Sequence, residues 1–179
     1  MRIGLTGTNS AGKGTAAEYI SGKYNMPVYS LSDEIRYEAD RRGLERSRDN
    51  LRQIGNDLRE KHGHGALAEM LLPRLEGKAM VDSIRHPAEV AVLRRLDDFY
   101  LLSIDAPVEL RYERALNRGR LESATTLEEF RYKEDLEKSG HGSGQQIHNT
   151  MAASDYKVWN DGQLGELYKK IDNILINCK

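Results

Sequence analysis

Apolar positions along the chain fall into two rhythms. Short apolar runs at residues 2–6 (RIGLT), 27–31 (PVYSL), 78–84 (KAMVDSI), 99–104 (FYLLSI) and 155–160 (DYKVWN) read as five strands. The nearly unbroken FYLLSI has the pattern of a strand covered on both faces, as in a parallel sheet. Between the runs the apolar spacing lengthens to three or four, which predicts helices. They are expected over Thr15 to Lys23 with Ala16, Ala17 and Ile20 inward, from Pro87 with Val90, Leu93 and Leu96, and from Pro107 toward Arg118. Two more are expected over 145–153 and over Gln163 to Asn177, the last with Leu164, Leu167, Ile171 and Leu175 on one face. Strands alternating with helices in this way predict an α/β architecture with a parallel sheet.

Two stretches break the alternation. Residues 32–77 carry three helices in succession. The first is capped by Ser32, with Asp33 and Glu34 in its first turn, and ends at Gly43. The second runs from Ser47 to Gly63 with Leu51, Ile54 and Leu58; the third runs over 65–77 with Leu67, Met70, Leu71 and Leu75, bent at Pro73. This block reads as a helical insertion over the sheet edge. Residues 119–144 are polar and end in a glycine-rich hinge, with Leu127, Phe130 and Leu136 as a thin apolar stripe. Thr125 or Thr126 with Glu128 or Glu129 offers a capping box. A mobile lid and a long surface loop are both compatible with that composition.

Length and charge narrow the class. A chain of 179 residues suits one domain, large enough to bury roughly 70% of the surface its unfolded form exposes. Apolar residues at 39%, charged residues at 31% and a mean hydropathy of -0.67 are those of a soluble globular chain. A net charge of -1 gives no footprint for nucleic acid, so none is expected as a partner. Of 27 cationic residues 17 are arginine, whose planar fork suits phosphate and carboxylate. Cys178 is the only cysteine, which excludes an internal disulfide and a cysteine zinc site. No run approaches the ~20 apolar residues of a membrane span, and the N-terminus lacks the pattern of a signal peptide. Cytoplasmic residence, with no membrane partner, is the resulting expectation.

Chemistry concentrates where the first strand meets the first helix. In GTNSAGKGT, residues 7–15, Gly7 and Gly12 flank Asn9, Ser10 and Ala11, and Lys13, Gly14 and Thr15 follow. Backbone N–H groups of such a loop, opening a helix, cradle a triphosphate, and Lys13 supplies the cation for its outer phosphates. Gly14 stands where the common motif has its hydroxyl, so Thr15 provides it one place later, toward a phosphate or the shell of Mg²⁺. Asp82 ends the third strand, a position from which a carboxylate serves Mg²⁺.

GTNSAGKGT resembles the loop of the P-loop nucleoside monophosphate kinases, adenylate kinase among them, with the Lys-Gly-Thr ending of that family and Asn9-Ser10 in place of its usual Pro-Gly. The resemblance follows most of the chain in element order and is sharp at a few segments. SLSDEIR, residues 30–36, is similar to the acceptor segment, which implies that Arg36 grips the acceptor phosphate with Ser32 and Asp33 beside it. DSIRHP, residues 82–87, resembles the segment in which Asp82 serves Mg²⁺ and Arg85 the acceptor phosphate, in a form nearer phage deoxynucleoside monophosphate kinases and dephospho-CoA kinases. RYERALNRGR, residues 111–120, is similar to the helix leading to the lid and implies Arg114 and Arg118, with Arg120 as a further match. NDGQLGEL, residues 160–167, resembles the turn near the donor base and implies Asp161 and Gly162.

The implied fold is a three-layer P-loop NTPase of one domain: core 1–31, 78–118 and 145–179, acceptor-binding insertion 32–77, lid 119–144. The implied activity is transfer of the γ-phosphoryl of Mg-ATP to a small phosphorylated acceptor, a nucleoside or deoxynucleoside monophosphate. Lys13, Arg85, Arg114 and Arg118 would be catalytic. Alternatives are a dephospho-CoA kinase with Asp33 as base, a kinase of another phosphorylated metabolite, and a nucleotide-binding regulatory module with little turnover. Oligomeric state is not legible.

Overall fold

A computed structural model of the chain describes residues 1–118, 126–138 and 146–178, and within the last turn of its seventh helix, residues 136–138, the backbone alone. Five strands, β1 (Arg2–Gly7), β2 (Val28–Ser30), β3 (Ala79–Asp82), β4 (Phe99–Asp105) and β5 (Tyr156–Trp159), form one sheet in the order β2-β3-β1-β4-β5. Every pairing is parallel, with Ile3 opposite Met80 and Tyr100, Tyr29 opposite Val81, and Ile104 opposite Val158. All strand carboxyl ends therefore share one edge, where ligands of open α/β sheets bind.

Alternation along the strands builds two cores. Ala79, Val81, Phe99 and Leu101 face one side of the sheet, while Ile3, Leu5, Met80, Leu102, Ile104 and Val158 face the other. The first side is covered by α2 (Leu31–Arg41), α3 (Arg48–His62), α4 (Ala66–Leu71) and α5 (Pro87–Leu93). The second is covered by α1 (Lys13–Tyr24) and α9 (Leu164–Leu175), through Ala16, Ile20, Leu167 and Ile171. The product is the three-layer α/β fold with helices on both faces. Three further helices, α6 (Val108–Asn117), α7 (Leu127–Lys138) and α8 (Ile147–Ala152), complete the described chain.

Several local expectations are corrected. The cap of α2 is Ser30, whose side chain accepts the Ser32 N–H at 3.3 Å, because Leu31 is already helical. The third helix of the 32–77 block stops at Leu71 and continues as a 3₁₀ turn, Leu72–Arg74, around Pro73. Met70 is 37% exposed and Leu164 is 53% exposed, so neither joins the core with its helical neighbours. Within 119–144, Thr126 Oγ1 accepts the Glu129 N–H at 3.2 Å and caps α7. Thr125, Arg120, the glycine-rich hinge and the side chain of Leu136 lie outside the described residues.

Candidate functional site

The glycine loop sits between β1 and α1, and its shape is enforced by backbone crowding. Gly7 has φ +139, and a Cβ there would lie 1.9 Å from the Ile104 carbonyl oxygen. Gly12, the N-cap of α1, has φ +105, and a Cβ would lie 2.4 Å from Asn160 Nδ2. Both positions need glycine for conformation and for space. Gly14 is exposed, and a Cβ added there would meet no atom beyond its own helix within 4 Å, so the first turn of α1 is open on that side. Those first N–H groups have no partner inside the helix, and they carry the positive end of its dipole. Ser10, at φ +60, also holds the left-handed conformation that curls the loop.

Lys13 reaches back over this loop, donating from Nζ to the carbonyls of Gly7 at 2.9 Å and Thr8 at 2.7 Å. Burial, reinforced by the nearby Arg85 guanidinium and opposed by Asp82, lowers its ammonium from 10.5 to about 8. The structure thus brings Lys13, Asp82 and Arg85 together. Asp82 follows Val81 at the end of β3, and its Oδ1 is buried with no hydrogen-bond partner. Such an orphaned oxygen is costly unless something binds it. Among the described residues, no three His, Cys, Asp or Glu side chains form a metal cage. One carboxylate facing a phosphate loop nevertheless fits Mg²⁺, which is held by few protein ligands plus phosphate oxygens. Thr15, the hydroxyl the sequence offers for the ion's shell, stands in the first turn of α1.

The turn after β3 is locked by α5. His86 caps α5, accepting the Ala88 N–H at 3.1 Å on Nδ1, and the buried Glu89 carboxylate accepts the N–H groups of Arg85 at 2.8 Å and His86 at 3.1 Å. A capping box pairs a side-chain acceptor at the N-cap with Glu or Gln three residues on; His86 and Glu89 fill those places here, with Pro87 in the first turn. Ser83, at φ +66, turns the chain away from β3, and the Ser30 hydroxyl donates to its Oγ at 3.1 Å. Arg85 is thereby aimed into a pocket of about 600 Å³ between α2, α3 and this turn. Ser32 and Arg36 also line it; Asp33 does not, and its carboxylate accepts from Arg36 at 2.5 Å. Three more arginines line the same pocket from α3: Arg48, Arg52 and Arg59.

A second pocket of about 200 Å³ lies on the other flank of the loop, lined by Gly12, Thr15, Arg114, Arg118, Asn160 and Leu164, with Gly162 at its rim. Leu164 is exposed because it forms this wall. Asp161 is turned outward, 3.5 Å from Lys170. The neighbouring Asn160, buried, donates from Nδ2 to the Ala11 carbonyl at 2.8 Å. Arg114 donates to the Asn160 carbonyl at 3.1 Å and to Ala11 at 3.5 Å. Burial and the adjacent Arg118 lower the Arg114 guanidinium from its ordinary value. Asn9, exposed, shares a small recess with Thr8 and Glu134.

Sequence reasoning passed over Asn160, Arg59, Glu89, Arg111 and Asp105. Thr8 Oγ1 donates to Asp105 at 2.6 Å, and Arg111 Nε donates to the Ala106 carbonyl at 2.8 Å. Arg111 also forks onto Glu134 of α7 at 2.7 and 2.9 Å. The HPAE sequence carried a capping signal for Glu89. For Asp105, Arg111 and Asn160 the partners that tie them to the site, Thr8, Glu134 and Ala11, lie far away in sequence.

A five-stranded parallel sheet, a phosphate loop between β1 and α1 and an arginine-bearing α6 define the class: a P-loop fold of the small-kinase kind. Solved structures agree on the fold. Shikimate kinase from Aquifex aeolicus covers 99% of this chain and 97% of its own at TM-score 0.58 and 19% identity. Shikimate kinase from Acinetobacter baumannii covers 99% and 94% at TM-score 0.62 and 15% identity. An AAA domain family matches residues 6–131. The chain belongs to the UPF0200 family. It is 33% identical to a UPF0200 protein of Pyrococcus abyssi over 98% of this chain and 95% of that protein. It is 34% identical to one of Methanocaldococcus jannaschii over 98% and 89%. A relative from Archaeoglobus fulgidus, named UPF0200/UPF0201, is 34% identical, and this chain spans about half of it, 54%. Among the described residues no helix is long and apolar enough to cross a membrane.

Proposed function

We propose that this protein transfers the γ-phosphoryl group of Mg-ATP to a small phosphorylated acceptor, with a nucleoside or deoxynucleoside monophosphate as the working choice. The observation that carries this reading is a second anion site. The arginine-lined pocket containing Arg36 and Arg85 has no residue of the phosphate loop in its described lining, yet Lys13 of the loop lies within electrostatic reach of Arg85 and Asp82. A nucleotide switch has no use for a second arginine pocket.

In the proposed assignment the loop N–H groups and Lys13 hold the donor phosphates, and Arg114, Arg118 and Gly162 border the donor's outer side. Asp161, facing Lys170, acts at most on the shape of that turn. Asp82 and Thr15 would hold Mg²⁺, which when bound neutralises phosphate charge. Arg36, Arg85 and Ser32 orient the acceptor. An acceptor oxygen forms its bond to the γ-phosphorus as the bond to the β–γ bridging oxygen breaks, and ADP leaves with that electron pair. An acceptor phosphate is already anionic, so no general base is required; positioning and charge stabilisation supply the catalysis. Asp33 is not among the described residues that line the acceptor pocket, which speaks against it as a base for a hydroxyl acceptor. Segment 32–77 serves as the acceptor-binding part and 119–144 as the lid in this proposal.

The test is ADP release from Mg-ATP with a panel of ribo- and deoxynucleoside monophosphates and dephospho-CoA. Acceptor-dependent ADP from a monophosphate is expected, and its loss in Lys13→Ala with native circular dichroism. A panel in which every acceptor leaves ADP release at background refutes the kinase reading.

A further inference from the structure

The acceptor pocket carries more cationic charge than one phosphate needs. Among the described residues, five arginines line it, from α2 (Arg36), α3 (Arg48, Arg52, Arg59) and the turn after β3 (Arg85), and no Asp or Glu does. Two of the carboxylates that touch lining arginines, Asp33 and Asp49, are not among its described lining residues. Asp33 beside Arg36 and Asp49 beside Arg52 are 41% and 87% exposed, where an ion pair is worth little.

The arrangement along α3 gives the charge a direction. At about 100° per residue, positions 48, 52 and 59 fall within roughly 40° of one another, so the three arginines form a single stripe. The stripe is long: at ~1.5 Å per residue, Arg52 lies about 10 Å and Arg48 about 16 Å along the axis from Arg59. Arg59 and Arg85 mark the near end. Burial first, and then Arg85, lower the Arg59 guanidinium, and Arg85 in turn is close enough to Lys13 to lower its ammonium. Arg59 Nε is buried with no partner. Gly55, one turn earlier, makes room for its head: a Cβ there would lie 3.0 Å from Arg59 Nη1 and 3.1 Å from Ile35. Leu31, Ile35, Leu51 and Leu67 give the pocket an apolar share of its wall, with Asn56 of α3 as a neutral polar group between Arg52 and Arg59.

From this we infer that the acceptor bears two separated anionic groups. One is the phosphate at the Arg59–Arg85 end, beside the donor, and the other is a phosphate or carboxylate read by Arg48 and Arg52 at the far end of the stripe. Arginine forks receive either group through paired N–H donors. The inference rests on the phosphotransferase reading and narrows its acceptor from any monophosphate to a doubly anionic one.

Calorimetric titration of the full chain with three probes tests it. Adenosine 5′-monophosphate has one anionic group, adenosine 3′,5′-bisphosphate adds a phosphate, and adenylosuccinate adds carboxylates on the far side of the base. At least one doubly anionic probe is expected to bind about tenfold or more tighter than the monophosphate, the effect of one charge-assisted contact. That ratio is expected to fall to about one in the Arg48→Ala/Arg52→Ala variant, whose substitutions are exposed and leave circular dichroism native. The better-binding probe tells phosphate from carboxylate. Equal affinities for all three probes, no binding of either doubly anionic probe, or a preference that survives in the double variant each overturn the inference. Its failure is separable from that of the kinase reading. Equal binding with acceptor-dependent ADP refutes only the second anion, and discriminating binding without ADP from any probe refutes only the phosphotransfer.

Discussion

Lys13 shows how one residue is tuned by its surroundings. In the ligand-free chain its ammonium has lost water and gained only two loop carbonyls, and it titrates at about 8 against an unfolded value of 10.5. The sign follows from proton counts. Between about pH 8 and 10.5 the unfolded chain holds the proton that the folded one has released, so this group makes stability rise with pH; below that window both states are protonated. A bound triphosphate favours the ammonium and pushes its pKa back up. Mg-ATP binding at pH 9 is therefore expected to take up about one proton, seen as a buffer-dependent heat in calorimetry. In Lys13→Met that uptake is expected to vanish. A binding heat independent of buffer in the wild type would separate Lys13 from the phosphates.

At the scale of elements, α7 shows an anchor that periodicity cannot reveal. Its apolar stripe is thin, yet it is held to α6 by the Arg111–Glu134 fork, with the Phe130 ring 5.9 Å from the same guanidinium and 5.8 Å from Tyr112. Arg111 is 5% exposed, so removing Glu134 leaves its buried charge with Asp105, 3.8 Å away, as the acidic partner among the described residues. Glu134→Ala is expected to cost about 1–3 kcal/mol, and to speed amide exchange across α7 while β1, β4 and α1 keep their protection. Unchanged protection of α7, read by hydrogen-exchange mass spectrometry, would remove this pair as the anchor. The glycine loop is the contrary case. Gly7, Gly12, Lys13 and Thr15 were legible because their spacing is itself the structure of the turn, whereas Asn160, which holds the loop's Ala11 carbonyl, is 149 residues away.

For the molecule as a whole, the parallel sheet puts the loop, Asp82 and both pockets along one edge, so ligand binding is coupled to global stability. A donor present at about a hundred times its Kd adds about 2.7 kcal/mol, and in a chain of this size each kcal/mol raises Tm by about 2–4 °C. ATP is expected to stabilise the protein, with a further increment when Mg²⁺ is added. In Asp82→Asn the increment from Mg²⁺ is expected to be lost while the effect of ATP alone remains. Equal Mg²⁺ increments in the two proteins, measured by scanning calorimetry, would show that Asp82 does not hold the ion.

The sequence by itself determined the strands and helices, the parallel α/β class and the phosphate loop. Each of these is set by local spacing: apolar periods of two and of three to four, and glycines at the turn where no Cβ fits. It also marked Asp82 by its place at a strand end, and Arg36 and Arg85 through the resemblance of their segments to those of a kinase family. Tertiary structure decided the rest. It placed Leu164 at a pocket wall and turned Asp33 onto Arg36. It also set Asn160 against the loop and gathered Arg48, Arg52 and Arg59 with Arg36 and Arg85 around one cavity. The reason is physical: a side chain's charge, burial and hydrogen-bond partner are fixed by segments that meet only when the sheet and its covering helices close, and no local period encodes that meeting.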